Sequence, residues 1–308
     1  MTASERDAAD ATDATRGIEA LSPSDQPAPA ARAAVAVIIL TYNEEENVAH
    51  ALESVCGWAK EVFVFDSFST DRTLDVAARF PCVVVQHRFE DYAKQRKAAL
   101  ERLPITTPWV FFLDADEQMP AALRDEVAAI VRRDPPENGF FCRFRLIWMG
   151  RWIRRGYYGT WIMRFFRRDR ARMESRKLAE HFDVEPPVGY LENDIHHEDH
   201  KGIAAWIEKH NRYSTGEALA LLEAAPDDDE LPARLLGTQT ERKRWLRHRV
   251  WNKLPPLVRP SVYFTYRYLG RGGFLEGKEA LAYHFLQALW FQMLVDIKYL
   301  ELRARRKR

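Results

Sequence analysis

Cysteine is scarce: the 308 residues hold three, at positions 56, 82 and 142. An odd, widely spaced set without Cys-x-x-Cys excludes a disulfide framework and a cysteine-based zinc site, and fits a reducing compartment. Long apolar runs are also missing. The best stretch, Ala280 to Val295, carries no fixed charge but includes His284, Gln287 and Gln292. It falls short of the roughly twenty apolar residues a membrane span needs. The first thirty residues are rich in Ala, Asp and Pro and lack an apolar leader core. No signal peptide is expected there, and residues 1–32 read as disordered on composition. No Gly-x-Gly-x-x-Gly follows the first apolar run, which argues against a dinucleotide-binding Rossmann unit.

What is present is a core-forming composition, 46% hydrophobic and 12% aromatic. Ala34 to Leu40 is a continuous apolar run, as a strand buried on both faces requires. After Thr41-Tyr42-Asn43 come three glutamates, then Val48, Leu52 and Val55 at helical spacing. Acids suit the positive end of a helix dipole. The pattern repeats: strand Glu61–Phe65 and a helix to about Phe80, strand Cys82–Gln86 and a helix from Asp91 to Leu103, strand Trp109–Leu113 and a helix from about Pro120. Four strand–helix repeats predict an α/β fold with a mostly parallel sheet and helices on both faces.

Beyond Asn138 the chain becomes aromatic and basic, with strand-like runs at Gly139–Met149, Trp161–Arg167 and Val188–His196, then a helix from Gly202 to about Ala224. Pro226 to Glu230 reads as a linker. From Gln239 onward sixteen Lys and Arg face five Asp and Glu, although the whole chain is only +1. This predicts a disordered segment 1–32, a catalytic-type domain 33–225 and a basic, aromatic helical appendage 226–308. An interfacial helix, with aromatics among lipid headgroups and cations on anionic lipid, is expected there.

The chemistry gathers where strands stop. Ligands of open parallel sheets bind beyond the carboxyl ends of the strands. Thr41-Tyr42-Asn43-Glu44 follows the first strand, Asp66 to Asp71 the second, and Asp114-Ala115-Asp116 the fourth. Residues two apart on an extended segment face one side. One carboxylate can then grip a hard divalent cation, Mg2+ or Mn2+, while the other orients a ribose or a metal-bound water. Asp-x-Asp is equally a common turn sequence.

The three motifs in this order resemble the family 2 glycosyltransferases of GT-A fold, over roughly Val35 to His200. Phe65 to Thr73 and the later Gly272-Gly273-Phe274-Leu275 before an aromatic helix resemble the lipopolysaccharide core beta-glucosyltransferase-like subgroup. The resemblance implies a nucleotide-sugar donor, UDP-glucose first. Thr41, Tyr42 and Glu44 would line the nucleotide pocket, Asp66 would meet the uracil or ribose edge, and Arg96 would reach the diphosphate. Asp114 would hold ribose or support the metal, and Asp116 would ligate it. Asp71 reads as a capping acid.

An inverting transfer also needs a carboxylate base for the acceptor hydroxyl. Leu178 to Val184 resembles the subgroup's Val-His-Glu-x-Leu segment, with Ala179 where that segment has His. It offers Glu180 as the base, with Asp183 in reserve. In His196-His197-Glu198-Asp199-His200 the resemblance implies His197 as a further metal ligand, against a polar loop that caps the next helix. Arginines interleaved with aromatics, from Arg143 to Trp161, suit sugars and phosphates of a glycolipid acceptor. No nucleic-acid module is recognisable, so no nucleic acid is expected as a partner. The sum implies an enzyme on the inner face of the cytoplasmic membrane that glycosylates a lipid-linked or lipopolysaccharide acceptor. The alternatives are a nucleotidyltransferase, against which the missing glycine-rich phosphate loop counts, and a non-catalytic nucleotide-sugar-binding membrane scaffold.

Overall fold

The computed structural model describes residues 32–173, 182–223 and 254–306. The expected disordered segment, the linker and the domain boundary at 225–226 lie outside those residues. The strands are β1 (Ala33–Thr41), β2 (Ala59–Asp66), β3 (Val83–Gln86), β4 (Trp109–Asp114), β5 (Glu117–Gln118), β6 (Gly139–Cys142), β7 (Phe144–Trp148), β8 (Arg151–Trp152), β9 (Ile162–Arg167), β10 (Ala171–Met173), β11 (Phe182–Val184), β12 (Val188–Tyr190) and β13 (Ile195–His197). The helices are α1 (Val48–Val55), α2 (Thr73–Ala77), α3 (Tyr92–Arg102), α4 (Ala121–Arg133), α5 (Gly202–Glu223), α6 (Arg259–Thr265), α7 (Gly277–His284) and α8 (Phe291–Arg306).

The expected strand–helix alternation is present from β1 to α4. The main sheet has seven strands in the order β12-β6-β9-β4-β1-β2-β3. β3, β2, β1 and β4 run parallel, and β9 enters antiparallel beside β4. Period-two alternation divides each central strand between two cores. Val35, Val37 and Ile39 of β1, with Phe111 and Leu113 of β4, face α1 and α4 residues such as Leu52, Leu123 and Val127. Ala36, Ile38, Phe63, Phe65 and Phe112 face the other side, where Ala98 and Ala99 of α3 and Phe182 of β11 cover them. Burying one such side chain stabilises by about 1.5–3 kcal/mol, so both faces require a helical or loop cover.

Three elements differ from expectation. The strand-like run Gly139–Met149 divides at Arg143 into β6 of the main sheet and β7 of a smaller one. α2 stops at Ala77 instead of near Phe80, because Pro81 disfavours helical backbone at the residue before it. The chain closes instead through Arg79 N–H to the Val76 carbonyl and Phe80 N–H to the Ala77 carbonyl. The single strand expected over 188–196 divides into β12 and β13. Glu126 captures the backbone N–H groups of Glu192 and Asn193 at 2.8 and 2.9 Å, forming a corner between them. β13 thereby joins a second sheet, β5-β13-β7-β8.

That small sheet carries a third core, in which Trp148 and Ile153 pack with Trp206 of α5 and Tyr283 of α7. α8 lies along α5, where Lys298 Nζ donates to the Asn211 carbonyl at 2.6 Å and Thr215 Oγ1 at 2.8 Å. Asp296, buried on α8, accepts from Arg259 Nε at 2.7 Å and Leu257 N–H at 2.8 Å.

Candidate functional site

Strand register assembles the site. Across the sheet Thr41 pairs with Asp66, Leu40 with Asp114, and Asp66 with Gln86, so the three motif-bearing strands end at one level. Asp66 is fully buried and saturated. Its oxygens accept Thr41 Oγ1 (2.9 Å), Ser69 N–H (2.9 Å), Ser69 Oγ and Gln86 Nε2 (3.0 Å). A carboxylate has about four acceptor sites, so Asp66 is spent on holding the β1 and β2 loops together.

Those loops are cross-braced. Asn43 takes a left-handed backbone, φ 54°, which asparagine tolerates better than most residues. Its side-chain oxygen accepts Thr70 N–H at 2.8 Å, and its own N–H donates to Ser69 Oγ at 2.9 Å. Asp71 behaves as a capping acid, accepting Thr73 N–H at 2.9 Å and also Glu45 N–H at 3.1 Å. Tyr42, by contrast, is 58% exposed at the rim. Glu44 pairs with Lys201 Nζ at 2.6 Å. Burial raises its carboxyl above the ordinary range, against the pull of Lys201 and Asn47.

Asp114 closes β4 and is held by two arginines. Arg164 of β9 donates to both its oxygens, at 3.1 and 2.5 Å, and Arg96 of α3 stands 3.5 Å away. Burial alone would raise Asp114, but these guanidinium groups outweigh it and hold the carboxyl well below the usual range. Arg164 also reaches the buried Glu117 at 3.2 Å. Glu117 in turn accepts the backbone N–H of Asp114 at 2.9 Å. Desolvation pushes Glu117 up to about 7, against Arg164 and with Asp114's charge.

Asp116 turns to a different set of partners. One oxygen lies 3.7 Å from His197 Nδ1 of β13, the other 3.8 Å from Lys209 Nζ of α5. Its carbonyl accepts Glu198 N–H at 2.9 Å, which closes the β5–β13 pairing over it. Of the side chains of the five-residue polar cluster, only His197 reaches the Asp116 carboxylate among the described residues. Asp199 accepts from Asn47 Nδ2 at 3.0 Å, His200 N–H donates to Asn47 Oδ1 at 2.7 Å, and the His200 ring lies against His50 at a 33° tilt. Asn47 is therefore the bracket that ties the loop after β1 to the loop after β13.

A carboxylate and an imidazole this close can share one divalent cation, and two protein donors leave positions for phosphate oxygens and water. No group of three or more His, Cys, Asp or Glu is arranged for a metal among the described residues. Glu180 lies outside the described residues. Asp183 sits on β11 opposite Arg172, and its exposed side chain alternates away from the core positions of Phe182 and Val184. It makes no hydrogen bond or ion pair with Asp114 or Asp116 among the described residues.

The model of the family described as glycosyl transferase family 2 matches residues 36–184. Residues 36–184 belong to glycosyl transferase family 2. The matched span begins in β1 and ends with β11, and its sheet has the GT-A arrangement that the motifs imply. Among its relatives, an uncharacterized glycosyltransferase of Rickettsia conorii is 33% identical over 117 residues, 38% of this chain and 41% of that protein. The chain thus spans less than half the length of that relative. The lipopolysaccharide core biosynthesis glycosyltransferase LpsC of Rhizobium meliloti is 26% identical over 273 residues, 82% of this chain and 90% of that protein. Among solved structures, the mannosyltransferase PcManGT of Pyrobaculum calidifontis, in complex with GDP-Man and Mn2+, aligns with a TM-score of 0.42 at 18% identity, covering 89% of each chain.

Sequence reasoning missed Arg164, Lys209, Lys201, Asn47 and Glu117. Arg164 carried a signal: a lone arginine between Met163 and Phe165 in a strand is a buried charge that needs a carboxylate partner. Lys209 carried none, since a lysine on an amphipathic helix reads as solvated.

Proposed function

We propose that the chain is a metal-dependent inverting glycosyltransferase that moves a hexose from a nucleotide sugar, UDP-glucose first, to a hydroxyl of a lipid-linked or lipopolysaccharide-type acceptor at the cytoplasmic membrane face. The observation that carries this is the Asp116–His197 pair, 3.7 Å apart, set beside Asp114 at the carboxyl ends of the parallel strands. Thr41, Tyr42 and Glu44 border the nucleotide, and Asp66 fixes the pocket floor through Thr41, Ser69 and Gln86. Asp114, kept ionised by Arg164, orients the ribose. Arg96 and Lys209 face the diphosphate, where guanidinium and ammonium offset the leaving group's charge. Asp116 and His197 would hold Mg2+ or Mn2+, whose charge would offset that of the departing diphosphate. Glu180, carried over from the family resemblance, takes the acceptor proton, with Asp183 in reserve.

The relative LpsC, matched over most of both chains, supports a lipopolysaccharide-type acceptor. Membrane attachment has its own support. No helix among the described residues is long and apolar enough to cross a membrane. Yet Val262, Tyr266, Leu269, Phe274, Leu281 and Phe285, on α6, α7 and the turns beside them, are all exposed. Residues 262, 266 and 269 fall at helical spacing, as an interfacial face requires.

The deciding experiment is release of free nucleoside diphosphate from UDP-, GDP- and ADP-sugars, with Mn2+ or with EDTA, with and without membrane lipid extract. Metal-dependent release from one donor, stimulated by lipid and lost in Asp116→Ala and Glu180→Gln, supports the reading. Donor binding without release from any sugar would replace it with the scaffold. Full activity in Glu180→Gln would move the base to Asp183.

A further inference from the structure

Two strands out from His197, the small sheet opens into a cavity. His197 pairs with Leu146 across β13 and β7, and Ile147 pairs with Trp152 across β7 and β8. At about 4.8 Å per strand, β8 lies about 10 Å from the strand of His197. There a cavity of about 380 Å³ is lined by Arg151, Trp152, Arg154, Arg155, Leu275 and Glu276. We propose that this cavity binds an anionic saccharide, a sugar bearing phosphate or carboxylate, within the acceptor. The assignment to the acceptor rests on the transferase reading above.

The charges are arranged for an incoming anion. Glu276 is buried, and its carboxylate is engaged by the backbone N–H groups of Arg154 (3.1 Å) and Arg155 (2.9 Å). It thereby fixes the segment that carries both guanidinium groups. Arg151 has Glu279 at 3.4 Å. Neither Arg154 nor Arg155 forms an ion pair among the described residues. Arg154 is further ordered by lying over the Trp152 ring, 4.5 Å from its centroid. Pre-ordered guanidinium forks suit the paired oxygens of phosphate or carboxylate.

Two glycines lie close against these arginines. A Cβ on Gly272 would stand 3.0 Å from Arg155 Nη1, and one on Gly277 2.9 Å from Arg151 Nη1. Both glycines have positive φ, 75° and 83°, a backbone that disfavours any side chain there. Of the Gly-Gly-Phe-Leu stretch that the donor site leaves unused, Leu275 lines this cavity and Gly272 lies against Arg155. Leu275 is 60% exposed at the lip, next to the apolar residues assigned to the membrane. An anionic sugar on a lipid anchor would meet the guanidinium groups and the apolar lip together.

The test uses the full chain with its donor site saturated by UDP and Mn2+, titrated with glucose 6-phosphate, glucuronate and glucose by calorimetry. At least one anion is expected to bind about tenfold or more tightly than glucose, as charge-assisted hydrogen bonds allow. Arg154→Ala/Arg155→Ala should abolish that preference while UDP binding stays unchanged, and Arg154→Lys/Arg155→Lys should retain part of it. The sugar phosphate and the uronate distinguish phosphate from carboxylate. Equal binding of all three sugars, or undiminished anion binding in the alanine variant, overturns the proposal. Absence of UDP binding in the wild type would instead count against the donor reading and leave the anion comparison legible. Arg155→Gln alone serves if the double variant fails to fold.

Discussion

Arg164 grips both oxygens of Asp114 from a strand antiparallel to the one that ends in that aspartate. The same guanidinium serves Glu117, so one buried cation balances two carboxyl groups. Arg164→Met would leave both carboxyls without their shared counter-charge. Breaking a buried pair in this way costs about 3–5 kcal/mol. Urea denaturation should show a drop of that order, and Arg164→Lys, which keeps the charge but loses the two-pronged geometry, should fall between.

Asp116 and His197 share a space, with Lys209 on the far oxygen. Asp116→Asn should reduce nucleoside diphosphate release by about 100-fold or more, the scale of losing a charge-stabilising group at the reaction centre. His197→Ala should chiefly raise the Mn2+ concentration needed for half-maximal rate. A metal titration of both variants separates these effects, and an unchanged Mn2+ requirement in His197→Ala would remove it from the ligand set.

Glu61 is a structural carboxylate far from the site. It accepts the N–H and hydroxyl of both Thr106 and Thr107, at 2.6 to 3.1 Å. Burial would raise its pKa, but these hydrogen bonds outweigh it and lower it below the ordinary glutamate value of 4.5. A lowered folded-state pKa gives stability that is present above the unfolded value and lost as pH falls through the folded one. Glu61→Gln should therefore cost about 1–2 kcal/mol at neutral pH and progressively less as pH falls below the ordinary glutamate range, judged by denaturation across a pH series.

Gly273 lies directly against His284. A Cβ there would be 2.7 Å from His284 Nε2, and that ring is fully buried. Gly273→Ala should destabilise the chain by about 1–3 kcal/mol, as overpacking does. The double variant Gly273→Ala/His284→Ala should recover part of the loss in thermal melts.

The exposed apolar residues give a separate readout. Leu269→Glu/Phe274→Glu should weaken sedimentation with vesicles of zwitterionic and anionic lipid by about tenfold or more, since it places two charges at the lipid boundary. Release of nucleoside diphosphate into water, without lipid, should be unaffected.

The order of strands and helices was legible in the sequence because each strand of an open parallel sheet advertises itself locally. An apolar run, a polar stop and a helical period follow one another within about thirty residues. The strand ends at Thr41, Asp66 and Asp114 were legible for the same reason. What only the tertiary structure decided are the pairings between segments far apart in the chain. Arg164 meets Asp114 across 50 residues, and Asn47 meets His200 across 153. These depend on β9 entering beside β4 and on β13 folding back over the loop after β4. No local pattern specifies which strand lies next to which, because any apolar strand can supply the same burial. A charged side chain finds its partner only after register and packing have brought the two together.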